Sequence, residues 1–132
     1  MLSAEDRFAI EDVINLHGHL TDRGDFAGMP DLFIEDVTYD VTALGGGVLA
    51  GLAGARDAAL ALGEANPLAH HVTNIVLDEA PDGTVQALSK YLGVMTDGSV
   101  ASGTYEDTLR HGDDGWRITH RVVRPRRVPL QP

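Results

Sequence analysis

Three kinds of side chain in this sequence could move a proton or orient a polar ligand: six histidines, the carboxylate Asp22, and the tyrosines Tyr39, Tyr91 and Tyr105. A neutral imidazole held by a carboxylate is the least equipment that transfers a proton on and off carbon or oxygen without a cofactor, and its unperturbed pKa of about 6.5 suits neutral pH. His17 projects from the middle of an apolar helical stripe, where it must find a partner, and His19 lies on the opposite, solvated side. His70 and His71 are neighbours in a strand and so face opposite ways. His71 shares its parity with Thr73, Ile75 and Leu77, and His70 with Val72, Asn74 and Val76, so a period of two does not say which looks inward. The same divergence argues against a metal site. Each candidate also has a plain structural role: a core histidine bound to a backbone carbonyl, an aspartate that ends a helix, tyrosines and Trp116 as packing.

The elements that must place these groups follow from pattern. Ser3 with Asp6 three residues on starts a helix and Gly24 stops it, so residues 3–23 are helical, with Ile10, Val13, Ile14, Leu16, Leu20 and Thr21 on one stripe. On an ideal helix Asp22 points away from that stripe, and reaching an inner site would need the helix to loosen at residues 21–24. Asp25 caps a short second helix to about Phe33, a strand covers 37–41, a glycine-rich loop or short hairpin 43–54, and a third helix 55–64, ended by Asn66 and Pro67. The glycine triplet at 45–47 lacks the Lys-Ser or Lys-Thr of a phosphate loop and reads as a rim.

Four strands follow, over 68–77, 84–95, 100–110 and 115–123, separated by Asp82-Gly83, Asp97-Gly98 and the turn at 111–115. In the last strand Trp116, Ile118, His120 and Val122 share a parity that reads as buried, with Arg117, Thr119 and Arg121 on the wet side. Helices first and sheet last predict an α+β domain in which N-terminal helices cover a strongly curved antiparallel sheet.

Length and composition set the limits. With 132 residues the chain fits one domain, residues 1–132, and no apolar run approaches the ~20 residues of a membrane span. Cysteine is absent, which removes disulfides, thiolate metal sites and cysteine nucleophiles, and the acidic start lacks the basic region of a signal peptide, so the expected location is the cytoplasm. A net charge of -10 repels a phosphate backbone and makes nucleic acid a poor partner, although Arg121, Arg124, Arg126 and Arg127 gather near one end. Those arginines read as a solvated edge or subunit contact, with Arg124 the candidate for an anionic group.

A long N-terminal helix ending in Thr21-Asp22-Arg23-Gly24-Asp25-Phe26, then Leu32-Phe33, Glu35-Asp36-Val37, a His-His-Val-Thr-Asn strand at 70–74, and Gly103 to Asp107 before Gly115-Trp116-Arg117-Ile118 resemble the SnoaL-like family of the nuclear transport factor 2-like superfamily. The resemblance covers nearly the whole chain. It implies a cone-shaped α+β barrel with an internal pocket and relatives among polyketide cyclases, scytalone dehydratase, bile acid dehydratases, isomerases and non-catalytic binding modules. It matches Asp22 to an aspartate at the end of the first helix and His71 to a pocket histidine, and it puts Arg124 where bile acid dehydratases carry an arginine. His17 stands where those enzymes carry tyrosine, a departure from their pattern.

The implied function is a cofactor-independent lyase or isomerase for a hydrophobic cyclic or polyketide-like molecule, with Asp22, His71 and His17 catalytic and Tyr39, Tyr91, Tyr105 and Arg124 binding substrate. The alternative is a pocket that binds such a molecule, or a partner, without turnover. Relatives commonly pair through the outer sheet face, so a homodimer is expected. No metal or cofactor is expected.

Overall fold

In the computed structural model, which describes residues 1–130 and 132, helix α1 (Ala4–Arg23) starts from a capping box. The Ser3 hydroxyl accepts from the Asp6 N–H at 3.0 Å, while the Asp6 carboxylate reaches back to Ser3. At the other end Gly24 adopts a left-handed conformation and its N–H caps the last carbonyls of the helix. The stripe buried against the sheet is Ile10, Val13, Ile14, His17 and Leu20. Leu16, expected on it, is 40% exposed.

A 3-10 helix (Phe26–Asp31) capped by Asp25 leads into β1 (Phe33–Asp40), then β2 (Val48–Ala50), helix α2 (Gly51–Leu62) and the strands β3 (Ala69–Glu79), β4 (Val85–Val94), β5 (Val100–Gly112) and β6 (Gly115–Arg126). The sheet order is β2-β1-β6-β5-β4-β3. The β3 to β6 meander is antiparallel as expected, but β1 runs parallel to β6. Helix α2 starts four residues earlier than its alanine run suggests, at Gly51, and it has no fully buried residue.

The core lies between α1 and the concave side of the sheet. Ile10, Ile14, Leu32, Phe33, Val37, Val85, Leu109 and Ile118 are each 2% exposed or less, and a large apolar side chain so buried contributes about 1.5–3 kcal/mol. Trp116 belongs to this core and donates its indole N–H to Asp6 at 3.0 Å, tying the end of the sheet to the start of α1.

Two β-bulges shape the concave side. In β6 the pairing steps from Leu109↔Ile118 to Thr108↔His120, so Thr119 is an extra residue and the inward set changes from Trp116 and Ile118 to Arg121 and Val123. This corrects the expected parity: His120 is exposed and Arg121 fully buried. In β3 an irregularity between Thr73 and Val76, with Asn74 at φ 56°, changes the inward set from His70 and Val72 to Leu77.

Candidate active site

Between α1, the inner face of the sheet, β1 and α2 lies a cavity of about 1480 Å³. Its wall is mostly apolar: Phe26, Phe33, Leu49, Leu52 and a row of α2 alanines, among others. The polar groups on it include His17, Thr21, Tyr39, His70, Tyr91 and Tyr105. A large apolar pocket with a few convergent polar groups is the usual form of a small-molecule site.

Asp22 and His70 meet at its edge. One Asp22 oxygen lies 2.7 Å from His70 Nδ1, and both oxygens accept the His70 backbone N–H at 3.0 Å. A carboxylate can only accept, so Nδ1 carries the hydrogen, and in the neutral ring the lone pair is on Nε2. Helix α1 does not loosen to achieve this. It stays α-helical to Arg23 and instead comes very close to β3, because at Gly18 a Cβ would sit 2.8 Å from the His70 carbonyl oxygen. Glycine at that position therefore sets the distance over which the short Asp22 side chain reaches.

The expected partner of Asp22, His71, is corrected by this geometry. His71 pairs with Leu92 on the outer side of the sheet, and its side chain is exposed. With Asn15 and His19 it borders a second, polar groove of about 410 Å³, to which Asp22 and His70 also contribute, so His70 borders both spaces.

His17 is 5% exposed, and its ring packs edge-on against Phe33, Tyr105 and His70 at centroid distances of 5.6, 5.9 and 6.3 Å. Its Nε2 lies 3.3 Å from the Thr21 hydroxyl, whereas Nδ1 is buried without a partner among the described residues. Burial, then the positive charge of Arg121, pushes its pKa well below the usual histidine value, so it is neutral at pH 7.

Arg121, expected at a solvated edge, is the largest fully buried side chain. Its Nε and Nη2 donate to the two oxygens of Asp107 at 2.7 and 2.8 Å, and its guanidinium carbon lies 4.0 Å from the centre of the Tyr105 ring. Burial opposes the charge, but Asp107 more than offsets this and keeps the pKa above the ordinary arginine value. The alternation Tyr105, Asp107, Leu109 was the available signal: it puts a carboxylate on the inner face, and a buried carboxylate requires a buried cation.

All three tyrosines line the cavity. Tyr91 stacks on Tyr105 at 4.7 Å and lies across Gly103, where a Cβ would collide with the Tyr91 ring and hydroxyl. Burial raises the pKa of both phenols, most strongly Tyr105, so both stay protonated hydrogen-bond donors. Arg124 does not join them. It pairs with Glu106 at 2.8 Å on the outer face, with its side chain 57% exposed, and its expected place in the binding site is corrected.

The fold and site define an α+β cone with a carboxylate-oriented histidine on the wall of an apolar cavity. Residues 2–122 match the SnoaL-like domain, and the chain belongs to that family. No curated protein matches it. Among solved structures it is similar to a protein of Novosphingobium aromaticivorans described as an aromatic ring hydroxylase, at 27% identity and a TM-score of 0.75 over 100% of this chain and 94% of that one. A protein of the same organism described as a scytalone dehydratase shares 21% identity, with a TM-score of 0.75 over 92% and 84% of the two chains. The beta subunit of an aromatic-ring-hydroxylating dioxygenase, also from that organism, shares 20% identity, with a TM-score of 0.69 over 93% and 90%. The last two likenesses show the fold alone.

Proposed function

We propose that the protein is a single-domain, cofactor-independent lyase or isomerase for a hydrophobic cyclic or polyketide-like compound, with His70 as the proton-transfer group and Asp22 as its orienting partner. The observation that carries this is the 2.7 Å contact of Asp22 with His70 Nδ1 at the wall of the apolar cavity. It leaves Nε2 as the basic atom, and Asp22 stabilises the imidazolium that forms when that atom takes a proton. In a dehydration, Nε2 removes a proton from the carbon beside a carbonyl. The electron pair moves onto the carbonyl oxygen and then expels a hydroxide from the β-carbon, which takes the proton from His70 and leaves as water. In an isomerisation the same proton returns to a different carbon. The tyrosines offer donors for substrate oxygens, and the aromatic wall takes the ring system.

The test is turnover. Purified protein incubated with cyclic β-hydroxyketones should form the conjugated enone, and His70→Ala should abolish it. Failure of every cyclic ketone and alcohol tried, with the fold intact, rejects the enzyme reading.

A binding or partner module without turnover is the alternative to this reading, and a separate observation concerns self-association. The outer sheet face exposes Val76, Leu88 and Leu92 at 63%, 50% and 39%, with Val76 opposite Leu88 across the β3–β4 ladder. We propose that this face pairs two copies of the chain. Light scattering should return twice the 14.1 kDa monomer mass at micromolar concentration, and a monomer rejects the pairing. The acidic charge fits a small-molecule role in the cytoplasm rather than one on nucleic acid. Among the described residues no helix is long and apolar enough to cross a membrane.

A further inference from the structure

His17 and Thr21 lie one helical turn apart on α1, immediately before Asp22, and the mechanism above assigns them no step. His17 Nε2 and Thr21 Oγ1 are 3.3 Å apart, and either could donate. If Thr21 donated, the imidazole hydrogen would sit on Nδ1, which is buried and has no acceptor among the described residues. A buried N–H without an acceptor loses its hydration and gains nothing in return. The hydrogen therefore belongs on Nε2, and His17 donates to Thr21.

One lone pair of the Thr21 oxygen is taken by His17, the side chain makes no other hydrogen bond among the described residues, and it lines the cavity. Its hydroxyl hydrogen is left for a ligand. The next residue, Asp22, fixes His70, so consecutive positions at the end of one rigid helix present a donor and, through the histidine, a base.

We propose that Thr21 is a substrate-binding residue whose hydroxyl donates to a ketone oxygen of the ligand, and that His17 is a positioning residue that acts through it by holding the hydroxyl in that orientation. The inference rests on the cavity taking an oxygen-bearing ring compound. When His70 breaks the C–H bond beside the carbonyl and takes the proton, the electron pair moves onto the oxygen that Thr21 contacts. A donor aimed there stabilises the developing charge.

The experiment has two independent arms. In the first, ¹⁵N NMR of histidine-labelled protein at pH 7 should show His17 protonated at Nε2 and bare at Nδ1, a readout that needs no substrate. A proton on Nδ1 overturns the proposal. In the second, calorimetry compares 1-tetralone with tetralin, which keeps the rings but lacks the oxygen. Thr21→Val should weaken tetralone binding by about 5- to 10-fold, the effect of one lost hydrogen bond, and leave tetralin unchanged, while Thr21→Ser retains the preference. His17→Phe should reduce the ketone preference, and His17→Gln, which keeps an N–H donor, should restore part of it. Equal losses for both probes, or an unchanged tetralone affinity in Thr21→Val, overturn it, as does failure of wild type to bind either probe. Ketone-selective binding through Thr21 with no turnover of any hydroxyketone would reject the lyase reading alone.

Discussion

Asp22 holds His70 at three points, through Nδ1 at 2.7 Å and through the backbone N–H, which both carboxylate oxygens approach to 3.0 Å. The ring is thus fixed to the same carboxylate that fixes its strand. Asp22→Asn keeps an oxygen able to accept from Nδ1 and from the backbone N–H, but removes the negative charge that stabilises the imidazolium. Turnover should fall by roughly 10²-fold or more, with a modest loss in melting temperature, as steady-state kinetics and calorimetry would show. An unchanged rate would remove Asp22 from the mechanism.

The two adjacent histidines should separate cleanly. His70→Ala should abolish turnover, whereas His71→Ala, on the outer side of the sheet, should keep the rate within about twofold of wild type, the scale of ordinary surface changes of up to about 0.5 kcal/mol. Parallel kinetics on the two variants check this, and the reverse ranking would reject the site as described.

His17 should make stability depend on pH. Its folded pKa lies well below 6.5, so below that pH the unfolded chain binds a proton that the native chain does not. Stability conferred by the neutral ring is full above pH 6.5 and is lost as pH falls toward the folded pKa, at up to about 1.4 kcal/mol per pH unit. In His17→Phe that component should vanish, so the difference in urea unfolding free energy between the two proteins should grow in the variant's favour from pH 7 to pH 5. A constant difference would contradict a buried neutral imidazole.

Arg121 and Asp107 should be coupled. Both side chains are 0% exposed, and Arg121→Met leaves a carboxylate buried without its cation, at a cost of about 3–5 kcal/mol. The double variant Arg121→Met/Asp107→Leu should recover most of that loss. A double-mutant cycle by chemical denaturation gives the coupling, and additive losses would contradict the pair.

Gly103→Ala should displace Tyr91, because the new methyl group would occupy the space of the phenol ring and approach the Arg124 carbonyl. The loss of Tyr91 stacking on Tyr105 should appear as a reduced near-ultraviolet circular dichroism signal and a stability loss of about 1–3 kcal/mol. An unaltered spectrum would show that the ring does not rest there.

Much of the architecture is local enough to read directly from sequence. The capping box at Ser3 and Asp6, the stop at Gly24 and the turns at Asp82-Gly83 and Asp97-Gly98 each depend on residues about four or fewer apart, and the structure realises all of them. The apolar stripe of α1 and the four-strand meander follow from periodicity in the same way.

The facing of individual side chains was decided by tertiary structure. An extra residue in β3 around Asn74 reverses parity, so the inward Leu77 aligns with His70 rather than His71. Thr119 does the same in β6, turning Arg121 into the core and His120 out to water. A bulge adds one residue to a pattern whose only information is a period of two, so every assignment beyond it changes sign with no change in composition. The approach of α1 to β3 at Gly18 is likewise a packing distance between residues about 50 positions apart in sequence, and local propensity carries no record of it. Sequence alone supplied a helix-end carboxylate, a pair of strand histidines and an α+β order; the bulge in β3 and one close helix contact determined which histidine Asp22 reaches.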